Sequence, residues 1–176
     1  MKIVVGLGNI GSDYERTRHN LGFMFLDYIS DKYNFKIEKE KLDSYIGEYI
    51  YNNDKVIFVK PKTFMNLSGI AALKVKNWYK VEDKDILIVY DDIDIPFEEI
   101  RYKLNGSGGS HNGMKNIVEC LNSENCSRIR IGIGGLKHEK QSLSDFVLFK
   151  FTNEEQSKLS DIFKKTEDKL IEFLDK

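Results

Sequence analysis

The amino-acid sequence predicts an α/β fold built around a mixed β-sheet. Short apolar runs typical of buried strands alternate along the chain with stretches of helical periodicity. Residues 45–51 and 55–59 flank the turn Asn52-Asn53-Asp54, and such a hairpin is antiparallel, so the sheet is not purely parallel. The chain has 176 residues without internal repeats or linkers, and we expect one domain over residues 1–176.

Four further strands are predicted outside this hairpin. Residues 2–7 and 86–90 are almost wholly apolar, as buried strands are, and the second run ends abruptly in acidic residues. Residues 100–104 form another candidate strand. Residues 128–133 alternate basic and apolar side chains, which predicts a half-exposed strand. The short apolar segment at residues 146–148 does not distinguish a helix from a strand.

Helical periodicity predicts four helices. Ser68 is expected to be the N-cap of the second one. Thr152 and Glu155 have the spacing of a capping box, which marks the start of the last one. The predicted segments are residues 20–33, 68–80 and 114–121, and a C-terminal helix with the apolar stripe Leu159, Ile162, Phe163, Leu170 and Phe173.

The composition excludes several classes of protein. Hydrophobic residues make up 41% and charged residues 31%, as in ordinary soluble domains. No apolar run reaches the roughly 18 residues of a membrane span, and the chain enters a strand at once, so no signal peptide is expected. Cys120 and Cys126 form no CxxC pair, which predicts neither a zinc site nor a disulfide framework. We expect a cytoplasmic location.

The net charge of −1 disfavours a dedicated nucleic-acid binder, but the charges are unevenly spread. Residues 99–150 contain eight Lys/Arg and five Asp/Glu, against 19 and 23 in the rest of the chain. A basic face on a nearly neutral protein fits these counts, and so does ordinary solvated surface.

Four polar segments follow predicted strands. In an open α/β sheet such loops converge on one crevice. Asn recurs in them, and its donors and acceptor suit a peptide-like group better than phosphate or metal. Turn geometry alone also explains an Asn at any one of these positions. The segments contain Asn9 with Tyr14 and His19, Met65-Asn66, Asp91-Asp92, and His111-Asn112.

His19 is the predicted general base, because an imidazole with an ordinary pKa of about 6.5 accepts a proton near neutral pH. Asp91 is the candidate carboxylate that fixes the ring tautomer. His111 is the alternative base, although it lies in a Gly/Ser loop expected to be flexible, and His138 is expected to be solvated. No G-x-S-x-G elbow is present, so water is the expected nucleophile.

The glycines at 6, 8 and 11 match G-x-G-x-x-G, which offers a dinucleotide site as an alternative. In that motif the glycine turn opens a helix at once. Here residues 12–18 are polar and the apolar stripe begins only near Leu21. The context of a nicotinamide or flavin site is therefore missing, and we expect no cofactor and no metal.

Several longer motifs then follow one another along the chain: LGNIGSDYERTRHNLGF, KPKTFMNLSG, VYDDIDIP, GSGGSHNGMK and RIRIGIG. Together they resemble bacterial peptidyl-tRNA hydrolase over nearly the whole chain. The resemblance implies a monomeric, single-domain fold in which a twisted mixed sheet is surrounded by α-helices. It also implies hydrolysis of the ester between a peptide and the terminal ribose of tRNA, which recycles tRNA during translation.

The resemblance implies roles for individual residues. His19 matches the family's general base, and Asp91 matches its partner. The amides that hold the substrate and the attacked carbonyl correspond to Asn9, Asn66 and Asn112.

Residues that meet other parts of peptidyl-tRNA are implied in the same way. Met65 and Tyr14 match residues that line the channel for the peptide and the CCA end. Lys103 and Arg130 fall where the family clamps the acceptor-stem phosphate.

The chain departs from the family pattern at some positions. Ile10 stands where the family has Pro, beside Asn9. The run at 106–110 lacks the family's His. Lys137, or Lys140, is only a candidate member of the clamp, because the flanking residues differ from the usual ones.

Two other functions remain as alternatives to this esterase. One is a non-catalytic RNA-binding protein on the same fold, against which the complete His–Asp–Asn set argues. The other is the dinucleotide-dependent oxidoreductase.

Overall fold

A seven-stranded mixed sheet forms the centre of the structure, a computed structural model that describes residues 1–136 and 140–176. The strand order is β2-β3-β4-β1-β5-β7-β6. The four central strands are parallel, and the outer strands β2, β3 and β6 pair antiparallel with their neighbours. The strands are β1 (Lys2–Gly6), β2 (Lys39–Lys41), β3 (Ser44–Tyr51), β4 (Asp54–Pro61), β5 (Ile86–Pro96), β6 (Ile100–Lys103) and β7 (Ser127–Gly134). The predicted α/β class and the antiparallel hairpin are confirmed.

Five α-helices cover both faces of the sheet. On β1, Val4 packs into the core under α1, α4 and α5, whereas Ile3 and Val5 pack under α2 and α3. This alternation follows from the period of two along a strand. The helices are α1 (Leu21–Tyr33), α2 (Ser68–Tyr79), α3 (Asn112–Leu121), α4 (Leu143–Leu148) and α5 (Asn153–Leu174). None of the helices in the described ranges could span a bilayer.

Two predicted strands differ from the structure. β5 does not end before the acidic residues but continues to Pro96, so Asp91 lies inside a central strand and pairs with Ile131 of β7. β7 is not half-exposed: all of its residues except Arg130 are buried, and Arg128, only 1% exposed, is covered by the backbone near Ser107 that its guanidinium contacts. Contacts with segments distant along the chain, rather than the local pattern, determine both outcomes.

The helix boundaries show two smaller differences. Ser68 is the first residue of α2 rather than its N-cap, and its hydroxyl donates to the carbonyl of Met65 at 2.8 Å. The unassigned piece at 146–148 belongs to α4. The capping box of Thr152 and Glu155 at the start of α5 is confirmed.

The first helix lies unusually close to the sheet because two glycines face each other. A β-carbon at Gly22 would lie 2.4 Å from the carbonyl oxygen of Val89, and one at Gly6 would lie 2.5 Å from the carbonyl oxygen of Gly22. No side chain fits at either position. The close contact brings the short 3₁₀ turn before α1, which contains His19, to the end of β1 and the middle of β5.

Candidate active site

One cavity of about 800 Å³ lies where the chain leaves β1 and β4 and where β5 passes beneath the start of α3. Its walls include nine residues that the sequence analysis assigned to catalysis or to substrate binding. These residues are Asn9, Tyr14, His19, Met65, Asn66, Asp91, Lys103, Asn112 and Arg130. The structure therefore brings together residues from six separate parts of the chain.

The side chains of His19 and Asp91 form the centre of this cavity. Nδ1 of His19 lies 2.9 Å from Oδ2 of Asp91 and 3.2 Å from Oδ1. An ionised carboxylate only accepts hydrogen bonds, so Nδ1 of His19 carries the proton. The lone pair of the neutral ring is then on Nε2, which is the atom that a general base uses.

His111 contacts the same carboxylate with the opposite nitrogen. Its Nε2 lies 2.9 Å from Oδ1 of Asp91, and its Nδ1 accepts the backbone N–H of Met114 at 3.1 Å. His111 is thus the N-cap of α3 and a neutral ring protonated on Nε2. The expectation that His111 lies in a flexible loop is wrong. The predicted helix start near residue 114 concealed this cap, because α3 begins at Asn112.

Burial and charge act in opposite directions on the two titrating groups. Burial lowers the pKa of His19, but the attraction and hydrogen bond of Asp91 outweigh it, so the pKa is raised above its ordinary 6.5. Burial alone would raise the pKa of the Asp91 carboxyl, but the two histidines hold it well below its usual range. Asp91, only 2% exposed, is therefore ionised at neutral pH.

The residues around His19 in the motif TRHN are structural. Thr17, Arg18 and Asn20 are all buried. Arg18 donates to the carbonyl of Phe146 at 3.2 Å and forms an ion pair with Glu155 at 2.8 Å, which ties the turn to α4 and α5. Arg18 belongs to a motif that carries the family resemblance, but its local sequence does not indicate these two contacts, because Phe146 and Glu155 lie far along the chain.

Asn9 is held so that only one end of its amide is available. Oδ1 accepts the backbone N–H of Met65 at 2.7 Å. The side chain of Asn20 bonds both backbone groups of Asn9, accepting its N–H at 2.8 Å and donating to its carbonyl at 2.9 Å. Because Oδ1 is occupied by a donor, Asn9 offers its Nδ2–H₂ group to the cavity as a hydrogen-bond donor.

The other two amides, Asn66 and Asn112, are exposed at the cavity wall. Asn66 lies in the 3₁₀ turn Met65–Leu67 before α2, and Asn112 is the first residue of α3. Within the described ranges, neither side chain has a hydrogen-bond partner, so both amides can meet a ligand. Met65, which precedes Asn66, is buried, and a β-carbon at Gly113, which follows Asn112, would lie 2.5 Å from its sulfur.

Lys103 and Arg130 line the opposite part of the cavity, on the antiparallel pair β6 and β7. Lys103 is exposed, and Nη1 of Arg130 lies 3.3 Å from Oδ2 of Asp92. Arg128 lies between them but is buried, and its guanidinium donates to backbone carbonyls, the shortest bond being 2.6 Å to Ser107. Lys137 and His138 lie outside the described residues; Lys140 is exposed and does not line the cavity.

Two rival sites fit the structure poorly. His19, Asp91 and His111 place three potential metal ligands within 4.8 Å of one another. However, Nε2 of His111 keeps its proton as long as Nδ1 caps α3, so a metal there would require the loss of that cap. In the dinucleotide alternative a helix would open at Gly11, whereas α1 begins at Leu21 after two 3₁₀ turns.

A histidine with a free basic nitrogen, fixed by a buried carboxylate beside amide donors, is an arrangement that can activate water for hydrolysis. Comparison with known proteins agrees. The family model described as peptidyl-tRNA hydrolase matches residues 3–176. Curated peptidyl-tRNA hydrolases are similar: that of Mycoplasma mycoides is 44% identical over 163 residues, covering 93% of this chain and 87% of the relative. That of Clostridium perfringens is 40% identical over 174 residues, covering 99% and 91%.

A solved structure agrees with these relatives. The crystal structure of peptidyl-tRNA hydrolase from Acinetobacter baumannii matches with a TM-score of 0.86 and 35% identity, covering 93% of this chain and 83% of that one. The chain belongs to the peptidyl-tRNA hydrolase family. It hydrolyses the ester bond between peptide and tRNA in peptidyl-tRNA.

The electrostatic balance at His19 predicts a pH dependence. Asp91→Asn should lower the pKa of His19 from above 6.5 to below it, because burial still acts while the attraction is lost. NMR titration of the His19 ring would measure both values. Asp92→Asn is the matched control, since Asp92 pairs with Arg130 rather than with His19. An unchanged pKa in Asp91→Asn would show that Asp91 is not its cause.

Proposed function

We propose that His19 is the general base for hydrolysis of peptidyl-tRNA and that Asp91 orients it. Nε2 of His19 takes a proton from a water molecule, whose oxygen attacks the carbonyl carbon of the ester. The bond to the terminal ribose then breaks, and the imidazolium returns the proton to the ribose oxygen. The products are a free tRNA and the peptide's carboxylic acid, which releases its proton to solvent and becomes a carboxylate. The observation that carries this proposal is the hydrogen bond from Nδ1 to the buried carboxylate.

His111 is the weaker candidate for the base, because both of its ring nitrogens are engaged. One accepts from Met114 and the other donates to Asp91. To accept a proton at Nδ1 it would have to release the cap of α3. We therefore assign His111 a positioning role, in which its N–H keeps the Asp91 carboxylate ionised and oriented toward His19.

The amides divide between the reacting carbonyl and the peptide. The Nδ2–H₂ group of Asn9 is a fixed donor and suits the oxyanion that develops on the attacked carbonyl. Asn66 and Asn112 have both amide ends free and suit the C=O and N–H groups of the peptide. The aromatic pair of Tyr14 and Phe64, with ring centroids 6.3 Å apart, stands at the same wall and suits the peptide and the CCA end.

The basic residues of the cavity suit the acceptor stem of tRNA. Lys103 and Arg130 project from adjacent strands into the same cavity as His19, so phosphate and ester would be bound together. The net charge of −1 makes these few contacts important, because phosphate contacts dominate tRNA affinity. We further propose that the chain acts as a single-domain monomer in the cytoplasm and without a metal.

Replacing the base should separate chemistry from binding. His19→Ala is expected to lower the rate by at least about 10²–10⁴-fold, while tRNA affinity stays nearly native, because the phosphate-binding residues remain. Release of tRNA from N-acetyl-aminoacyl-tRNA, with and without EDTA, measures the rate. A His19→Ala variant with most of its activity would place the base elsewhere, and EDTA-sensitive turnover would contradict the metal-free mechanism.

The same assay tests the RNA-binding alternative. A folded native chain that binds tRNA but releases none of it would favour that alternative.

Removing the proposed phosphate contacts should change the salt dependence of binding. Lys103→Ala and Arg130→Ala should each weaken tRNA binding and reduce the slope of log affinity against log salt by about 1. Lys164→Ala, an exposed residue of α5 far from the cavity lining, should leave the slope unchanged. Equal slopes in all four proteins would show that this face does not meet phosphate.

A further inference from the structure

The first turn of α2 is capped by a side chain from another helix. Oδ1 of Asn116, in α3, accepts the backbone N–H of Gly69 at 2.7 Å. The N-cap of α2 is Leu67, whose side chain makes no capping bond. The first N–H groups of a helix have no partner within it, so Asn116 satisfies a donor that α2 itself leaves open.

The backbones of α2 and α3 are in close contact at this hydrogen bond. A β-carbon at Gly69 would lie 2.2 Å from the carbonyl oxygen of Asn116, and one at Gly113 would lie 2.5 Å from the sulfur of Met65. Both glycines are buried. The hydrogen bond and the close contact together leave little freedom for α2 to slide along α3.

Two cavity residues depend on the relative position of these helix ends. Asn66 lies in the turn that leads directly into α2, and Asn112 opens α3 about one turn before Asn116. Asn116 itself does not line the cavity. Any displacement of α2 relative to α3 would change the separation of the two exposed amides without removing either of them.

We infer that Asn116 is a positioning residue for peptidyl-tRNA hydrolysis, which sets the separation of Asn66 and Asn112 by capping α2 from α3. This inference rests on the proposed role of those two amides in holding the peptide. Its consequence is specific: the loss of the Asn116 acceptor should impair peptide binding while the His19–Asp91 pair continues to work.

Two substitutions at Asn116 test this inference. Asn116→Ala removes the acceptor and should raise KM and lower kcat/KM by about ten- to a hundredfold, the effect of a misplaced binding group. Asn116→Asp keeps an acceptor at a helix N-terminus, where a negative charge is also favourable, and should restore KM to near the native value. The pH at which the rate falls on the acid side of the pH–rate profile should be unchanged in both variants.

A stability control separates positioning from general destabilisation. Thr166→Val removes a buried hydroxyl that donates to the carbonyl of Ile162 in α5, far from the cavity lining. If Thr166→Val lowers the melting temperature as much as Asn116→Ala does, Thr166→Val should still keep the native KM. If Thr166→Val raises KM as much as Asn116→Ala does, or if Asn116→Asp fails to restore it, the inference is overturned.

The variant Asn66→Ala distinguishes the failure of this inference from failure of the proposed function. If Asn66→Ala raises KM but Asn116→Ala does not, Asn116 is not a positioning residue and the amide role stands. If Asn66→Ala leaves KM unchanged, the amide role itself fails and this inference fails with it. If the amide role of Asn66 and the positioning role of Asn116 both hold, the double variant Asn66→Ala/Asn116→Ala should raise KM by less than the product of the two single effects.

Discussion

A single buried carboxylate organises the active site. Asp91 is almost inaccessible to solvent and accepts hydrogen bonds from two imidazoles. A buried charge is tolerated only when it is paired or fully hydrogen-bonded, so the positions of His19 and His111 are constrained together. One ring comes from the turn before α1 and the other from the cap of α3, which lie over opposite faces of the sheet. The carboxylate therefore joins the two layers of the molecule at the point where the chemistry takes place.

The binding groups around this centre are placed by contacts between distant segments. The side chain of Asn20 is hydrogen-bonded to the backbone of Asn9, and the side chain of Asn9 accepts the backbone N–H of Met65. This chain of hydrogen bonds links the loop after β1 to the turn before α2, and Asn116 links the first turn of α2 to α3. The amide of Asn9 is thus held directly by another polar group, whereas Asn66 and Asn112 are placed by the turn and the helix that contain them. Such support is what keeps a site within the small tolerance that catalysis needs.

The sequence predicted much of this arrangement, because apolar periodicity and polar strand ends are local signals. The α/β class and the hairpin are confirmed, and the nine residues assigned to catalysis or substrate binding line one cavity, whereas the clamp candidate Lys140 does not. What the sequence did not predict depends on neighbours distant along the chain. The burial of Arg128 depends on the backbone at Ser107, Glu124 and Cys126, to which its guanidinium donates. Asp91 lies within β5 because β7 continues the pairing. The cap formed by His111 is not visible in the sequence, because the apolar pattern of the helix begins only at its partner Met114.

The proposed mechanism depends on Asp91, which holds His19 and His111 in opposite tautomers. As a result, only His19 presents a basic nitrogen to the substrate. Long-range ¹H–¹⁵N NMR spectra, recorded at a pH above the pKa of His19, measure the tautomer of each ring directly. The proposed mechanism requires a proton on Nδ1 of His19 and on Nε2 of His111. The same tautomer in both rings, or an Nε2 proton on His19, would contradict it and would leave His19 without the lone pair that a general base requires.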